Sequence, residues 1–242
     1  MTTRLYARHA TAADTGAWSV ERDIPWGEID APAAHARPDI LAQLRTAALI
    51  EAFHPVNLAR LFQLAWDDVD AGVVLSIEAY EGFKHFHALR LYLDAIRYAP
   101  AITDQEIVAS RRAGAGASLA EAGLIERLVE FMLSEHLAYY FFRRHAEQAP
   151  EPVLRDLLRR IAADEVRHAQ GAADLIGKRI AADPAVVPRV LEAAATFRHF
   201  GTEAVGEVPV AMPGDPLAIR TFARRIERLC GTRLVDHLKA RL

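Results

Sequence analysis

Cysteine is nearly missing: Cys230 is the only one in 242 residues. An intramolecular disulfide is thereby excluded, as is an iron–sulfur cluster, which needs several thiolates. One thiol fits a reducing compartment, and Cys230 is expected to be a small core residue. No apolar run is long enough to span a membrane, and the N-terminus has no signal-peptide core. A soluble, cytoplasmic protein is the expectation. The net charge is only −3, so neither nucleic acid nor an anionic membrane is expected as a partner. Glycine-rich fingerprints for a flavin or a nicotinamide are also absent. Electrons for any redox chemistry would come from an external donor protein.

What the chain has instead is helical periodicity, with 52% hydrophobic and 25% charged residues. Residues 1–37 read as an irregular wrap, broken by Pro25 and Pro32 and docked through Trp18, Ile24 and Trp26. After Pro38, Asp39 is the expected N-cap of a first helix with Ile40, Leu44, Ala47 and Glu51 on one stripe. Pro55 cannot donate to the Glu51 carbonyl, which implies a kink or a break. A second helix is expected from about Ala71 to Arg97, then a connection over 100–118 with room for a short helix. Ser118 and Glu121 form a capping box that would open a third helix, and Glu151-Pro152 would open a fourth, closed by Asp183-Pro184. Two more helices are expected near 184–198 and 216–229, before a solvated basic tail with Arg233, Lys239 and Arg241.

The chemistry lies on the inner faces of these helices. Leu154, Leu158, Ile161, Glu165, His168, Ala172 and Ile176 recur at steps of three and four, one face of a helix. The stripe is apolar at both ends and carries a carboxylate and an imidazole in the middle, where an unpaired charge is costly to desolvate. Glu135 interrupts the stripe Leu124, Leu128, Phe131, Phe142 in the same way, and Glu51 does so on the first helix. Glu51 and Glu81 lie 30 residues apart, as do Glu135 and Glu165. An inward carboxylate therefore recurs on two pairs of antiparallel helices, with a histidine near the second member of each pair. Glu from two helices and Glu plus His from two others make a dimetal carboxylate site in a four-helix bundle. Carboxylates hold and bridge two iron or manganese ions, and imidazoles add nitrogen ligands.

Asp164-Glu165-Val166-Arg167-His168, with Glu135 and Tyr139-Tyr140-Phe141-Phe142 upstream, resembles the second half of a ferritin-like di-iron site. Glu51-Ala52-Phe53-His54-Pro55, the run His85–Leu93, Phe197–Gly201 and Met212-Pro213-Gly214 resemble segments of the acyl-carrier-protein desaturase branch. The resemblance implies an all-α, ferritin-like four-helix bundle in a single domain over 1–242, with the metal-binding core at 39–180 and additional helices at 184–242. It implies Glu51, Glu135, Glu165 and His168 as ligands, with Asp164 orienting a ligand histidine.

The second helix departs from the expected Glu-x-x-His, because Gly82 stands three residues before His85 and Lys84 three after Glu81. Glu81 with His85 is the preferred ligand pair there, with Glu78 as the alternative carboxylate and His54 as an alternative ligand. Tyr139, one turn from Glu135, is expected to be a packing residue. The implied activity is O₂-dependent oxidation by two iron ions, or by manganese and iron. A desaturase or oxygenase acting on a mostly apolar small molecule or carrier-bound acyl chain is expected. Amine N-oxygenation or ferroxidase-type iron handling is the alternative, and a homodimer is expected.

Overall fold

The computed structural model describes residues 4–116, 122–199, 201 and 216–239. Among the described residues the chain forms ten α-helices and no strand. They are α1 (Leu5–Thr15), α2 (Ala31–His35), α3 (Pro38–Leu64), α4 (Val69–Ala95), α5 (Asp104–Gly116), α6 (Leu124–Gln148), α7 (Pro152–Ala182), α8 (Val187–Ala195), α9 (Pro216–Cys230) and α10 (Leu234–Lys239). No helix among the described residues is long and apolar enough to cross a membrane.

Four long helices carry the architecture. Only residues 65–68 separate α3 from α4, and only residues 149–151 separate α6 from α7, so each pair folds back on itself. The two hairpins close against each other through α4 with α7 and α3 with α6. Around them, α1 lies on α4 and α7, α5 on α3, and α8 and α9 on the α6–α7 side.

Local chemistry explains the starts. Asp68 caps α4 by accepting from the backbone N–H of Asp70 and Ala71 at 3.0 and 3.3 Å. Glu151 caps α7 by accepting from Val153 and Leu154 at 3.0 and 2.6 Å, and Pro152 takes the position where no N–H is needed. The Tyr92 hydroxyl donates to the same buried carboxylate at 3.0 Å, which ties α4 to the start of α7.

Several expectations are corrected. The first 37 residues are not irregular throughout: α1 precedes the prolines altogether, and α2 tolerates Pro32 in its first turn beneath the Asp30 cap. Trp18 and Ile24 are buried as expected, and Trp26 packs partly buried beside them. Arg37, not Asp39, is the N-cap of α3, because Pro38 occupies the first helical position and Asp39 the first turn. Asp39 is gripped there by Arg37 at 2.8 and 2.7 Å. Pro55 does not break α3, which runs on to Leu64. Arg111 of α5 donates to the Ala52 carbonyl at 2.8 Å, supplying a partner beside the bond that proline removes. Helix α6 begins at Leu124 with Gly123 as its N-cap, not at the Ser118–Glu121 box, which lies outside the described residues, as does Met212–Gly214. Cys230 is half-buried rather than a core residue.

The apolar interior is split in two. One cluster contains Leu41, Leu44, Leu89, Tyr92, Phe142, Leu157 and Leu158; the other contains Leu58, Leu61, Leu75, Leu128, Phe131 and Ile176. Each long helix crosses from one cluster to the other midway. On α3 the crossing falls near Glu51 and His54, on α4 between Glu78 and His85, on α6 near Glu135, and on α7 near Glu165 and His168. The polar residues thus form a layer sealed by hydrocarbon on both sides.

Candidate metal centre

Seven side chains converge in that layer, in three overlapping groups. Glu51, His85 and Glu165 form one; His54, Glu78 and Glu135 a second; Glu135, Glu165 and His168 a third. Within each group the ligand atoms lie within 4.8 Å of one another, and every residue is buried. These groups allow a metal ion to be held. His85 Nδ1 is 3.2 Å from Glu165 Oε1 and 3.9 Å from Glu51 Oε2. His168 Nδ1 is 2.9 Å from both Glu78 Oε2 and Glu165 Oε2, and 3.7 Å from Glu135 Oε2. His54 places Nδ1 3.3 Å from Glu78 Oε1 and Nε2 3.9 Å from Glu135 Oε1.

The outer nitrogens of two of these histidines are held by a crossed pair of carboxylates. His85, on α4, places Nε2 2.9 Å from Asp164 Oδ2 on α7. His168, on α7, places Nε2 2.8 Å from Glu81 Oε2 on α4. A carboxylate accepts only, so each Nε2 carries the proton and donates it. The Nδ1 lone pairs then face the inner carboxylates, and acceptor faces acceptor. Only a cation between them, a proton or a metal ion, makes that arrangement favourable. The unpartnered buried atoms mark the same place: Glu51 Oε2, His54 Nδ1, both Glu78 oxygens, His85 Nδ1 and Glu165 Oε1 lack a hydrogen-bond partner.

The outer carboxylates have cations of their own. Arg167 donates to Glu81 Oε1 at 2.8 Å and to Asp164 Oδ1 at 2.6 Å, and Lys84 Nζ lies 3.0 Å from Asp164 Oδ2. Trp18 adds an indole N–H to Asp164 Oδ2 at 2.8 Å. The outer ring therefore balances two negative charges with two positive ones. The inner set has four carboxylates and no fixed cation, which two divalent ions would neutralise.

Among the expected ligands, Glu81 is the one that the structure does not bring into these groups. It belongs to none of the three groups and points at the far nitrogen of His168, while Glu78, one turn earlier, belongs to the centre. Gly82 stands next to Glu81, facing α3. A Cβ there would fall 2.6 Å from His54 Nδ1, so the imidazole of α3 occupies the space a side chain on α4 would need. Glu78 and His85, seven residues or about two turns apart, flank that gap on one face. Asp164 lies against His85 Nε2, and Glu51, Glu135, Glu165 and His168 are brought together. His87 is half-exposed and outside the layer. Tyr139 is half-buried, and its hydroxyl accepts from Arg143 at 3.1 Å.

Without a metal ion the centre gathers protons. Burial alone would lower the His54 pKa, yet Glu51, Glu78 and Glu135 raise it to about 10. His85 is likewise raised to about 9 by Glu165, Asp164 and Glu51 against the effect of burial. Burial pushes Glu51 up to about 7, and burial with Glu78 and Glu165 holds Glu135 well above the usual carboxylate range. Burial also opposes ionisation of Glu165, but His85 and His168 keep it well below that range.

Sequence reasoning missed Trp18 as the donor to Asp164, Arg167 as the clasp between the outer carboxylates, and the half-buried His199. Burial and the neighbouring His54 push the His199 pKa down to about 4. Trp18 and His199 lie in stretches with no helical period, and nothing local points to their partners. Comparison with known proteins adds no name to this geometry: no family model matches the chain, and no curated protein matches it significantly.

Proposed function

We propose that this protein is a ferritin-like dimetal oxidase, holding two iron ions or a manganese–iron pair and using dioxygen to oxidise an organic substrate. The observation that carries the proposal is the set of buried, mutually facing acceptors with no hydrogen-bond partner. Glu51, His85 and Glu165 would hold one ion, and His54, Glu78, Glu135 and His168 the other, with Glu165 shared between groups. When bound, the ions supply the reduction of dioxygen and the oxidising power for attack on a C–H bond or an amine.

The rest is the work of the chain's own residues. Asp164 and Glu81 fix the imidazole rings and keep the proton on Nε2, leaving Nδ1 to bind. Arg167 and Lys84 keep those two carboxylates ionised. The two apolar clusters exclude water above and below the layer.

Anaerobic reconstitution with Fe²⁺, metal analysis, and spectra after reduction and exposure to oxygen test this directly. About two ions per chain, with oxygen uptake that rises when an acyl or amine substrate is added, is the expected result. Failure to retain metal overturns the proposal. Oxygen uptake that accompanies only mineralisation of added Fe²⁺ would assign the centre to iron handling.

A further inference from the structure

A cavity of about 280 Å³ lies where α9 packs on α6 and α7. Glu165 is among its lining residues, so the cavity borders the stretch of α7 that carries the candidate centre. Helix α9 lends it Thr221, Arg225 and Arg228, which share one face at steps of four and three. Tyr139 and Tyr140 line the opposite side, their rings edge to face at 4.9 Å, and exposed Val166 gives it an apolar patch.

The charges here are unusual. Arg225 uses Nη1 on the Ala169 carbonyl at 3.1 Å, while its Nε is buried without a partner. Arg228 donates through Nε to the Arg224 carbonyl at 3.3 Å. Among the described residues neither guanidinium forms an ion pair. Asp174, the carboxylate whose charge reaches Arg225, is engaged by His9 at 3.0 Å and Gln170 at 2.8 Å. Burial and the neighbouring Arg228 push the Arg225 pKa down, as expected of two like charges with no counter-ion between them. The hydroxyls are sorted too. Thr221 Oγ1 lies within hydrogen-bond distance of two main-chain carbonyls, of the Tyr140 hydroxyl at 2.8 Å and of His136 Nε2 at 3.2 Å, while Tyr139 accepts from Arg143 and keeps its own proton for donation.

We propose that this cavity takes a small organic anion, its carboxylate or phosphate bound by Arg225 and Arg228 and its apolar body laid over Val166 toward Glu165. Paired planar guanidiniums suit an oxyanion, and a phenolic proton adds a third donor. The volume, just below the usual range of roughly 300–1,000 Å³ for ligand pockets, sets the scale at a small molecule. In the cavity of about 780 Å³ bounded by Trp18, Glu81 and Lys84, by contrast, Glu81 and Lys84 are already paired. In naming the substrate class of the candidate centre this inference rests on the dimetal proposal, but the binding step does not.

Calorimetric titration of the full chain, metal-free and metal-loaded, with benzoate, phenyl phosphate, benzamide and inorganic phosphate is the test. Benzoate or phenyl phosphate should bind at about one per chain. Benzamide and inorganic phosphate should each bind at least tenfold more weakly, since one lacks the charge and the other the apolar body. The tighter of the two organic anions names the acidic group, and either supports the proposal. Arg228→Gln, at an exposed position, should weaken the anion at least tenfold while melting temperature and metal content stay unchanged; Arg225→Lys should weaken it less. Equal binding of benzamide, equal binding of inorganic phosphate, or an unchanged affinity in Arg228→Gln overturns it. Anion binding without metal uptake would remove the dimetal proposal and leave this one, and metal uptake without anion binding would do the reverse.

Discussion

Trp18 and Asp164 stand 146 residues apart in the chain and 2.8 Å apart in space, joined by an indole N–H donated to a carboxylate oxygen. The indole also lies parallel to His85, with ring centroids 6.4 Å apart, and under Lys84 Nζ at 4.4 Å. The N-terminal segment therefore reaches the residue that orients a candidate ligand. Trp18→Phe keeps most of the buried aromatic area and removes the donor, so a stability loss of about 1 kcal/mol is expected. Metal affinity should fall roughly tenfold, and Asp164→Asn should cost about 10–100-fold. Competition with a chelator of known affinity measures both. Unchanged affinity in the two variants would reduce the segment to a cover.

Glu78 and Glu81 should separate cleanly. Glu78→Ala removes a carboxylate from the inner set, so about one metal ion per chain should be lost. Glu81→Ala leaves that set intact but frees the His168 ring, so both ions should remain and bind more weakly by about 10–100-fold. Elemental analysis at saturating metal distinguishes the two. The reverse pattern would restore Glu81 as the ligand.

Glu165→Ala and His168→Ala should each abolish binding of at least one ion while the helical circular dichroism persists. Normal metal content in both would refute the dimetal centre outright.

Gly82→Ala should be more damaging than a single methyl group implies. The new Cβ would meet His54 Nδ1 at 2.6 Å. Overpacking of this kind costs about 1–3 kcal/mol and would drive the imidazole out of the layer. Adding His54→Ala to Gly82→Ala should recover much of the melting temperature but not the metal affinity. If the double variant is no more stable than Gly82→Ala alone, the two residues do not compete for that space.

The metal-free protein should weaken as pH rises. His54 and His85, raised to about 10 and about 9, contribute stability that is complete below their unfolded value of about 6.5 and lost as the pH passes their folded values. Glu51, raised to about 7, acts in the same direction from lower pH. Metal ions displace these protons, so loaded protein should lack the decline, and the gap in melting temperature should widen between about pH 6.5 and 10. Loading at neutral pH should also release protons, measurable in weakly buffered solution. A gap that narrows as pH rises would contradict this charge arrangement.

Much of the layer is legible in the chain because burial on a long helix is a local, periodic signal. Leu154, Leu158, Ile161, Ala172 and Ile176 bracket Glu165 and His168, and Leu128 and Phe131 precede Glu135, with apolar neighbours that leave those side chains one direction to face. The start at Glu151-Pro152 is equally local, since a cap acts within one turn.

Helix α4 is different. Its buried residues include Glu78, Glu81, Gly82, Lys84, His85 and Phe86, so most of its circumference is covered and periodicity cannot say which side faces the centre. Glu78 and Glu81, three residues apart, differ by only about 60° around the axis. By itself the sequence determined four long helices and the height at which polar groups interrupt their cores. Tertiary packing decided the rotation of α4, the occupation of the Gly82 gap by His54, and the meeting of Trp18 with Asp164. Those three depend on side chains from separate helices and loops filling one shared space, and no single stretch of chain carries that information.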